Sequence, residues 1–270
     1  WVLLLLGFLS ACAPPASAVP AASHTPLPAS ETPTATIVWF PPTATYTPYP
    51  TITVQPTPDQ RPGIGPVIFS DEFNDPSAWT LNRSTQGSVA VSNDELTIAI
   101  AELNERTFLY SLRAQPVFSN FYVELTASPS LCRGKDEYGL LLRVSPSFDY
   151  YRFSLSCDGS LRLDRVVNGE ASSPQPWMVS GAVPPGAPSQ ARLGVWAYGP
   201  EMRFFVNDEY QFSVRDPLLN TGGFGVFARS ASDMAVTINF LKLEVREVSS
   251  PPPEISTPTP SAQATTPSGN

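Results

Sequence analysis

Tyr150-Tyr151-Arg152-Phe153-Ser154-Leu155-Ser156-Cys157-Asp158-Gly159-Ser160-Leu161-Arg162-Leu163 is the stretch on which the fold turns. Tyr151, Phe153 and Leu155 alternate with Arg152 and Ser154, the period-two pattern of a strand with one buried face. Asp158-Gly159 interrupts the alternation, which then resumes. Asp-Gly between two alternating runs predicts a tight hairpin, because the favoured turns need residues that tolerate positive φ. The same grammar extends outward. Glu95–Ile100, Phe121–Leu125 and Met202–Val206 alternate, and Asn93-Asp94, Asn168-Gly169, Asn207-Asp208 and Gly222-Gly223 supply turn signals between such runs. No 3.6-residue apolar stripe competes. About twelve short strands separated by polar turns predict an all-β sandwich or barrel.

These strands occupy residues 67–248, long enough for one domain with a substantial core. The segment holds 15 Lys or Arg against 21 Asp or Glu, so it is mildly acidic, and no polybasic run suggests nucleic acid. Its basic residues are Arg except for Lys135 and Lys242. Arg forks suit bidentate contacts with carboxylates and other oxygen ligands. The single histidine, His24, lies outside the segment. A Ser-His-Asp triad, a Cys-His pair and a histidine zinc site are therefore excluded within it.

The flanks differ in chemistry. Val2–Leu9 is an uncharged apolar run, too short for a transmembrane helix and of signal-peptide length. The chain opens on Trp1 with no basic segment before the run, so residues 1–11 are expected to be the end of a signal peptide. Leu9-Ser10-Ala11-Cys12 resembles the lipobox of bacterial lipoproteins, which implies lipidation of Cys12, attachment to the cell membrane and an extracytoplasmic domain. An ordinary secretory signal is the alternative. Residues 13–66 contain fourteen Pro and ten Thr with almost no charge. Such a stretch is expected to be a disordered stalk, reaching at most roughly 170 Å if fully extended. Residues 249–270 repeat this chemistry as a tail. With Cys12 assigned to lipid, Cys132 and Cys157 remain. Two cysteines in an exported domain most often pair, and two buried free thiols are the alternative.

The order of features within 67–248 resembles the concanavalin A-like, laminin-G-like jelly rolls. Phe69-Ser70-Asp71-Glu72-Phe73 followed by Trp79 is similar to their opening, and Asp94–Ile98 and Phe118–Glu124 to the strands that follow. Tyr138-Gly139-Leu140-Leu141-Leu142-Arg143 with Tyr150-Tyr151-Arg152-Phe153 carries most of the resemblance. Phe205-Val206-Asn207, Gly222–Val226 and Asn239-Phe240 complete it. The likeness runs to the LamG-like, DUF1080-like (3-keto-disaccharide hydrolase-like) branch, related to the family 16 glucanases. It implies a two-sheet jelly roll and a carbohydrate ligand. Family 16 catalysis needs alternating acids on one strand, Glu-x-Asp-x-Glu, setting nucleophile and acid about 5 Å apart. No Glu here has an Asp two residues on. Asp136-Glu137 would point to opposite faces of a strand and is expected to be a solvated strand entry. The expectation is thus a non-catalytic carbohydrate-recognition domain, monomeric, whose partner is a glycan or cell-wall polysaccharide. A 3-keto-disaccharide hydrolase-like enzyme is the alternative, and a structural or protein-interaction domain a third. No cofactor is expected, save that the resemblance admits a structural Ca²⁺ held by Asp71, Glu72 and Asp75, with Asn239 where relatives often have Asp.

Strand parity defines a candidate face. Tyr151, Phe153 and Leu155, Leu193, Val195 and Ala197, Met202, Phe204 and Val206, and Phe224, Val226 and Ala228 should face the core. The opposite parity carries Tyr150, Arg152, Arg192, Trp196, Tyr198, Arg203, Phe205, Phe227 and Arg229, joined by Arg143. Aromatic rings stack on sugars and Arg forks bond hydroxyls or carboxylates. These ten residues are expected to form the concave, glycan-binding face of one sheet, and the Arg residues admit an acidic glycan. The competing expectation is that the domain's own loops cover this face, among them the Pro-rich 174–188 segment with Trp177.

Overall fold

The structure, a computed structural model, describes residues 59–101, 107–231 and 233–249. The expected signal peptide, Cys12 and most of the stalk lie outside the described residues, as does the tail from Ser250. The first strands in chain order are β1 (Ile64–Asp71), β2 (Asn82–Arg83), β3 (Gly87–Ser92), β4 (Glu95–Ile100) and β5 (Phe108–Phe118). Then come β6 (Phe121–Leu131), β7 (Glu137–Val144), β8 (Tyr150–Ser156), β9 (Ser160–Val167) and β10 (Glu170–Val179). The last five are β11 (Ala191–Tyr198), β12 (Glu201–Val206), β13 (Glu209–Arg215), β14 (Gly222–Arg229) and β15 (Val236–Val248). A single 3₁₀ turn, Pro76–Ala78, is the only helical element among the described residues.

The strands form two antiparallel sheets. The first runs β13-β12-β11-β6-β15-β4-β3-β2, with β1 also paired to β15; the second runs β10-β9-β8-β7-β14-β5. The expected all-β, two-sheet jelly-roll sandwich is what the chain adopts. Every residue assigned to the core by parity is buried in one apolar layer between the sheets. The layer interdigitates: Phe153 of the second sheet lies 5.0 Å from Phe204 of the first, and Phe224 meets Phe121 edge-on at 5.1 Å. Each such side chain contributes about 1.5–3 kcal/mol by leaving water.

The turns follow their residues. Asn93-Asp94, Asn168-Gly169 and Asn207-Asp208 all have positive φ, as two-residue hairpins require. Glu137 pairs with Ser156, and Tyr150 with Val166, across the β7-β8-β9 meander. Gly139 in β7 has φ 157°, and a Cβ there would come within 2.0 Å of the Phe153 carbonyl oxygen, so only glycine fits at the middle of this sheet.

Four expectations need correction. Gly222-Gly223 is not a turn but the start of β14, where a Cβ on Gly222 would meet the Arg143 backbone at 2.3 Å. The 174–188 segment is partly strand: Pro174 and Pro176 sit in β10, an edge strand with shifted register, where the missing N–H costs no ladder bond. Fifteen strands replace the expected twelve. The domain begins before residue 67, because residues 59–63 already pack on it and β1 starts at Ile64. The two ends leave together: Ile64 pairs with Val248, and Ser249 N donates to the Gly63 carbonyl at 3.0 Å.

Cys132 and Cys157 are disulfide-bonded. The bridge ties the loop before β7 to the β8-β9 turn, and Cys157 N donates to the Asp136 carbonyl beside it at 3.0 Å. The partners are 25 residues apart, a loop for which chain entropy contributes about 3.5 kcal/mol. Cys132→Ala/Cys157→Ala is expected to lose that much in denaturant unfolding, and alkylation of the native protein should modify neither thiol.

Candidate functional site

Nine of the ten residues assigned to one face divide between the two outer faces of the sandwich. Arg192, Trp196, Tyr198, Arg203 and Phe205 stand on β11 and β12 of the first sheet. Tyr150, Arg152, Phe227 and Arg229 stand on β8 and β14 of the second. Parity along each strand was read correctly, yet parity does not tell which sheet a strand joins. Arg143 belongs to neither surface. It is fully buried, and its guanidinium donates to the carbonyls of Leu219 (2.7 Å), Gly199 (2.8 Å) and Ser119 (3.1 Å). With φ 51° at Arg143, the strand turns this side chain toward the Phe121 ring.

The first sheet's outer face is covered by the chain entering the domain. Trp196 is 1% exposed and donates from Nε1 to the Pro62 carbonyl at 2.9 Å. Arg203 stacks on the Trp196 ring, bonds the Gln60 carbonyl and pairs with Glu201. Arg61 lies over Tyr122 and Phe205, donating to the Tyr122 hydroxyl and to Asp208. Burial pushes the Tyr122 phenol up to about 12. Tyr198 stacks beside Trp196, and Arg192 pairs with Asp208 and Glu124. The expectation of a covering segment holds here, but residues 59–63 supply it rather than 174–188.

The second sheet's outer face is different. The β8-β9 register sets Arg152 opposite Asp164 and Ser154 opposite Arg162; the β7-β14 register sets Glu137 opposite Arg229 and Gly139 opposite Phe227. The charged side chains form a ladder across the sheet. Arg229 bonds Glu137 (3.1 Å), whose other oxygen takes Arg162 (3.0 Å); Arg162 also pairs with Asp164 (3.0 Å), which holds Arg152 (2.6 Å). Ser173 Oγ adds a 2.6 Å bond to Asp164. Beside the ladder lies an aromatic shelf. Phe108 packs on Phe227 (5.4 Å), Tyr110 on Phe148 (4.8 Å) and Phe148 on Tyr150 (4.7 Å). Arg152 bridges the two parts, its guanidinium over Phe108 and Phe227.

A hollow lies at each end of this face. One, of about 720 Å³, is lined by Tyr110, Leu112, Phe148, Val144 and Pro146. The other, of about 440 Å³, is lined by Lys135, Glu137, Arg162, Trp177 and Arg229. Glu137 and Val144 mark the two ends of β7, so the hollows are about 23 Å apart at strand rise.

Asp136-Glu137 is not a solvated strand entry; both are buried. Asp136 accepts from Arg133 N and Ala231 N and so stitches two loops together. The calcium candidates do not converge either. Asp71 accepts from Phe73 N and Trp79 Nε1 and pairs with Arg113, while Asp75 caps the 3₁₀ turn. Glu72 lies in an open acidic hollow with them. Asn239 is bonded to Thr97 and Ser130, four residues beyond the Asp71 partner Leu243, about 13 Å away along β15. Among the described residues no three His, Cys, Asp or Glu side chains group to hold a metal.

Sequence reading did not assign Arg162, Asp164, Lys135, Phe108, Tyr110 or Phe148 to this face, and gave Glu137 and Trp177 other roles, a solvated strand entry and part of a covering loop. A signal for the first two was present, since the Asp158-Gly159 turn fixes the register that sets them beside Arg152 and Ser154.

No family model matches the sequence, and no curated protein matches it. Solved structures do match the fold. The catalytic domain of an endo-1,3-beta-glucanase (laminarinase) from Thermotoga petrophila superposes with a TM-score of 0.50 at 10% identity, covering 70% of this chain and 100% of its own. A GlcNAcα1-4Gal-releasing endo-β-galactosidase from Clostridium perfringens gives 0.52 at 11% identity, covering 71% and 65%. The carbohydrate-binding module CBM66 from Bacillus subtilis gives 0.49 at 17% identity, covering 61% and 94%. The fold is that of the concanavalin A-like jelly rolls.

Two substitutions separate structural from binding roles. Asp164→Ala leaves Arg152 without its carboxylate and Arg162 with Glu137 alone, and should cost about 3–5 kcal/mol in chemical denaturation. Trp196→Ala should cost about 3–5 kcal/mol through loss of a buried aromatic while leaving the opposite outer face intact.

Proposed function

We propose that this domain is a non-catalytic carbohydrate-recognition module, displayed outside the cell on a lipoprotein anchored through Cys12. The observation that carries the reading is the outer face of the second sheet. The half-buried rings of Phe108, Tyr110 and Phe148 lie there over buried Tyr150 and Phe227, with the Arg152 guanidinium over Phe108, a pairing that takes the apolar face of a sugar ring and its polar rim together. The solved structures that share the fold include two named as glycan-cleaving enzymes; that likeness concerns fold alone.

The acids on this face favour recognition over catalysis. Glycoside hydrolysis needs one carboxyl group that can carry a proton and a second that is free to attack or to activate water. Glu137 and Asp164 are each held by two guanidinium groups. Such contacts occupy the oxygens that chemistry would use. Gly139 and Leu141, the next outward positions along β7 after Glu137, carry no acid.

A full chain carrying Cys12→Ser, applied to a glycan array, should be retained by a subset of polysaccharides and release no reducing sugar from them. Tyr110→Ala and Phe148→Ala should each weaken retention about tenfold, the value of one stacking contact. Reducing-sugar release would establish the hydrolase reading, and an array with no retained glycan would leave a structural role.

In the intact organism Cys12→Ser is expected to release the protein into the medium or leave it unprocessed. A variant that is cleaved normally and still sediments with membrane shows that Cys12 is not the anchor.

A further inference from the structure

The hollow at the β7 entry differs in chemistry from the rest of the face. Trp177 projects from β10 and is 41% exposed, in contrast to the buried aromatics around Phe227. The Arg162 guanidinium carbon lies over its ring, 4.4 Å from the centroid, a cation–π contact. Arg229 closes the opposite wall, spending one nitrogen on Glu137. Lys135 stands exposed on the rim. Two carboxylates line the hollow with these three cations. Glu137 is already shared by Arg162 and Arg229, and Asp158 accepts the backbone N–H of Ser160 within its turn. The hollow therefore retains positive charge in a domain whose overall balance is acidic. Ser156 and Ser160 add hydroxyls to its lining.

We propose that this hollow is the subsite for a sugar unit bearing a carboxylate. The ring of the sugar would stack on Trp177, and its carboxylate would lie between Lys135 and Arg229. Opposite charge, a flat platform and a volume of about 440 Å³ select for one charged pyranose rather than for a neutral one. The assignment rests on the carbohydrate-recognition reading and narrows it to acidic polysaccharides. A chain seated here and passing Phe108 toward Tyr110 and Phe148, all half-buried, would use the whole length of the face.

The test is affinity electrophoresis of the full chain carrying Cys12→Ser, in gels containing polygalacturonate, its methyl-esterified form, a neutral galactan or a sulfated galactan. Polygalacturonate should retard the protein. Esterification, which removes charge and keeps the ring, should weaken retardation about tenfold, as should Lys135→Ala and Trp177→Ala. Both side chains are exposed, and unchanged thermal unfolding would show both variants folded. Retardation should also fall with added salt. Retention by neutral galactan alone overturns the acidic-sugar assignment and leaves the recognition reading standing. Retention by none of the four, with none on the array, overturns both. Polygalacturonate binding that survives both substitutions places the site elsewhere, and retention by the sulfated polymer alone overturns the carboxylate.

Discussion

A strand in a sandwich can bury only one of its two faces, and everything else in this domain follows from how that choice is made. Tyr138, Leu140 and Leu142 on β7 and Phe224, Val226 and Ala228 on β14 go inward to meet Phe121, Val123 and Leu125 on β6. Glu137, Gly139 and Leu141, with Phe227 and Arg229, are then forced outward. Gly139 is bound to this arrangement from the other side, because the Phe153 carbonyl occupies the space a side chain would need. The missing side chain also leaves room for the Phe227 ring, whose edge lies 3.3 Å from where a Cβ would stand.

The two outer faces resolve the same problem differently. Both carry Arg and aromatic residues, and both would expose apolar rings if left bare. On the first sheet the entering chain lies across them: Pro62 takes the Trp196 N–H, and Arg61 covers Tyr122 and Phe205. On the second sheet Phe148 of the β7-β8 loop, with Phe108 and Tyr110 of β5, packs over buried Tyr150 and Phe227 instead. Its rings pack sideways on one another, and the guanidinium groups are held level by Glu137 and Asp164. Removal of either carboxylate would leave buried positive charge, so the ladder fixes side-chain positions more than it adds stability. Fixed side chains are what recognition requires, since a ligand then loses little affinity to ordering its site.

The disulfide and the capping acid serve the same end of the second sheet. Asp136 ties the β7 entry to Ala231 after β14, and Cys132–Cys157 ties it to the β8-β9 turn. The hollow lined by Trp177, Arg162, Arg229 and Lys135 opens beside these cross-links. Its walls come from β7, β9, β10 and β14 and the loops next to them, and they hold their spacing because the chain beneath is tied at both levels.

Alternation and turn chemistry were legible in the amino-acid order, because side-chain parity and positive-φ turns are local properties. They sufficed for an all-β sandwich, for the inward set on β8, β11, β12 and β14, and for the Asp158-Gly159 hairpin. The pairing of Cys132 with Cys157 was legible by the count of cysteines. Which sheet each strand joins was not, because that depends on contacts between strands far apart in the chain: β11 pairs with β6 and β14 with β5, each across more than fifty residues. For that reason Trp196 and Phe227 share a parity and an outward direction yet lie on opposite sides of the molecule. The burial of Arg143 among three carbonyls, the covering of Trp196 by Pro62 and the meeting of Trp177 with Arg162 exist only once the sheets have assembled, since no one strand contains both partners.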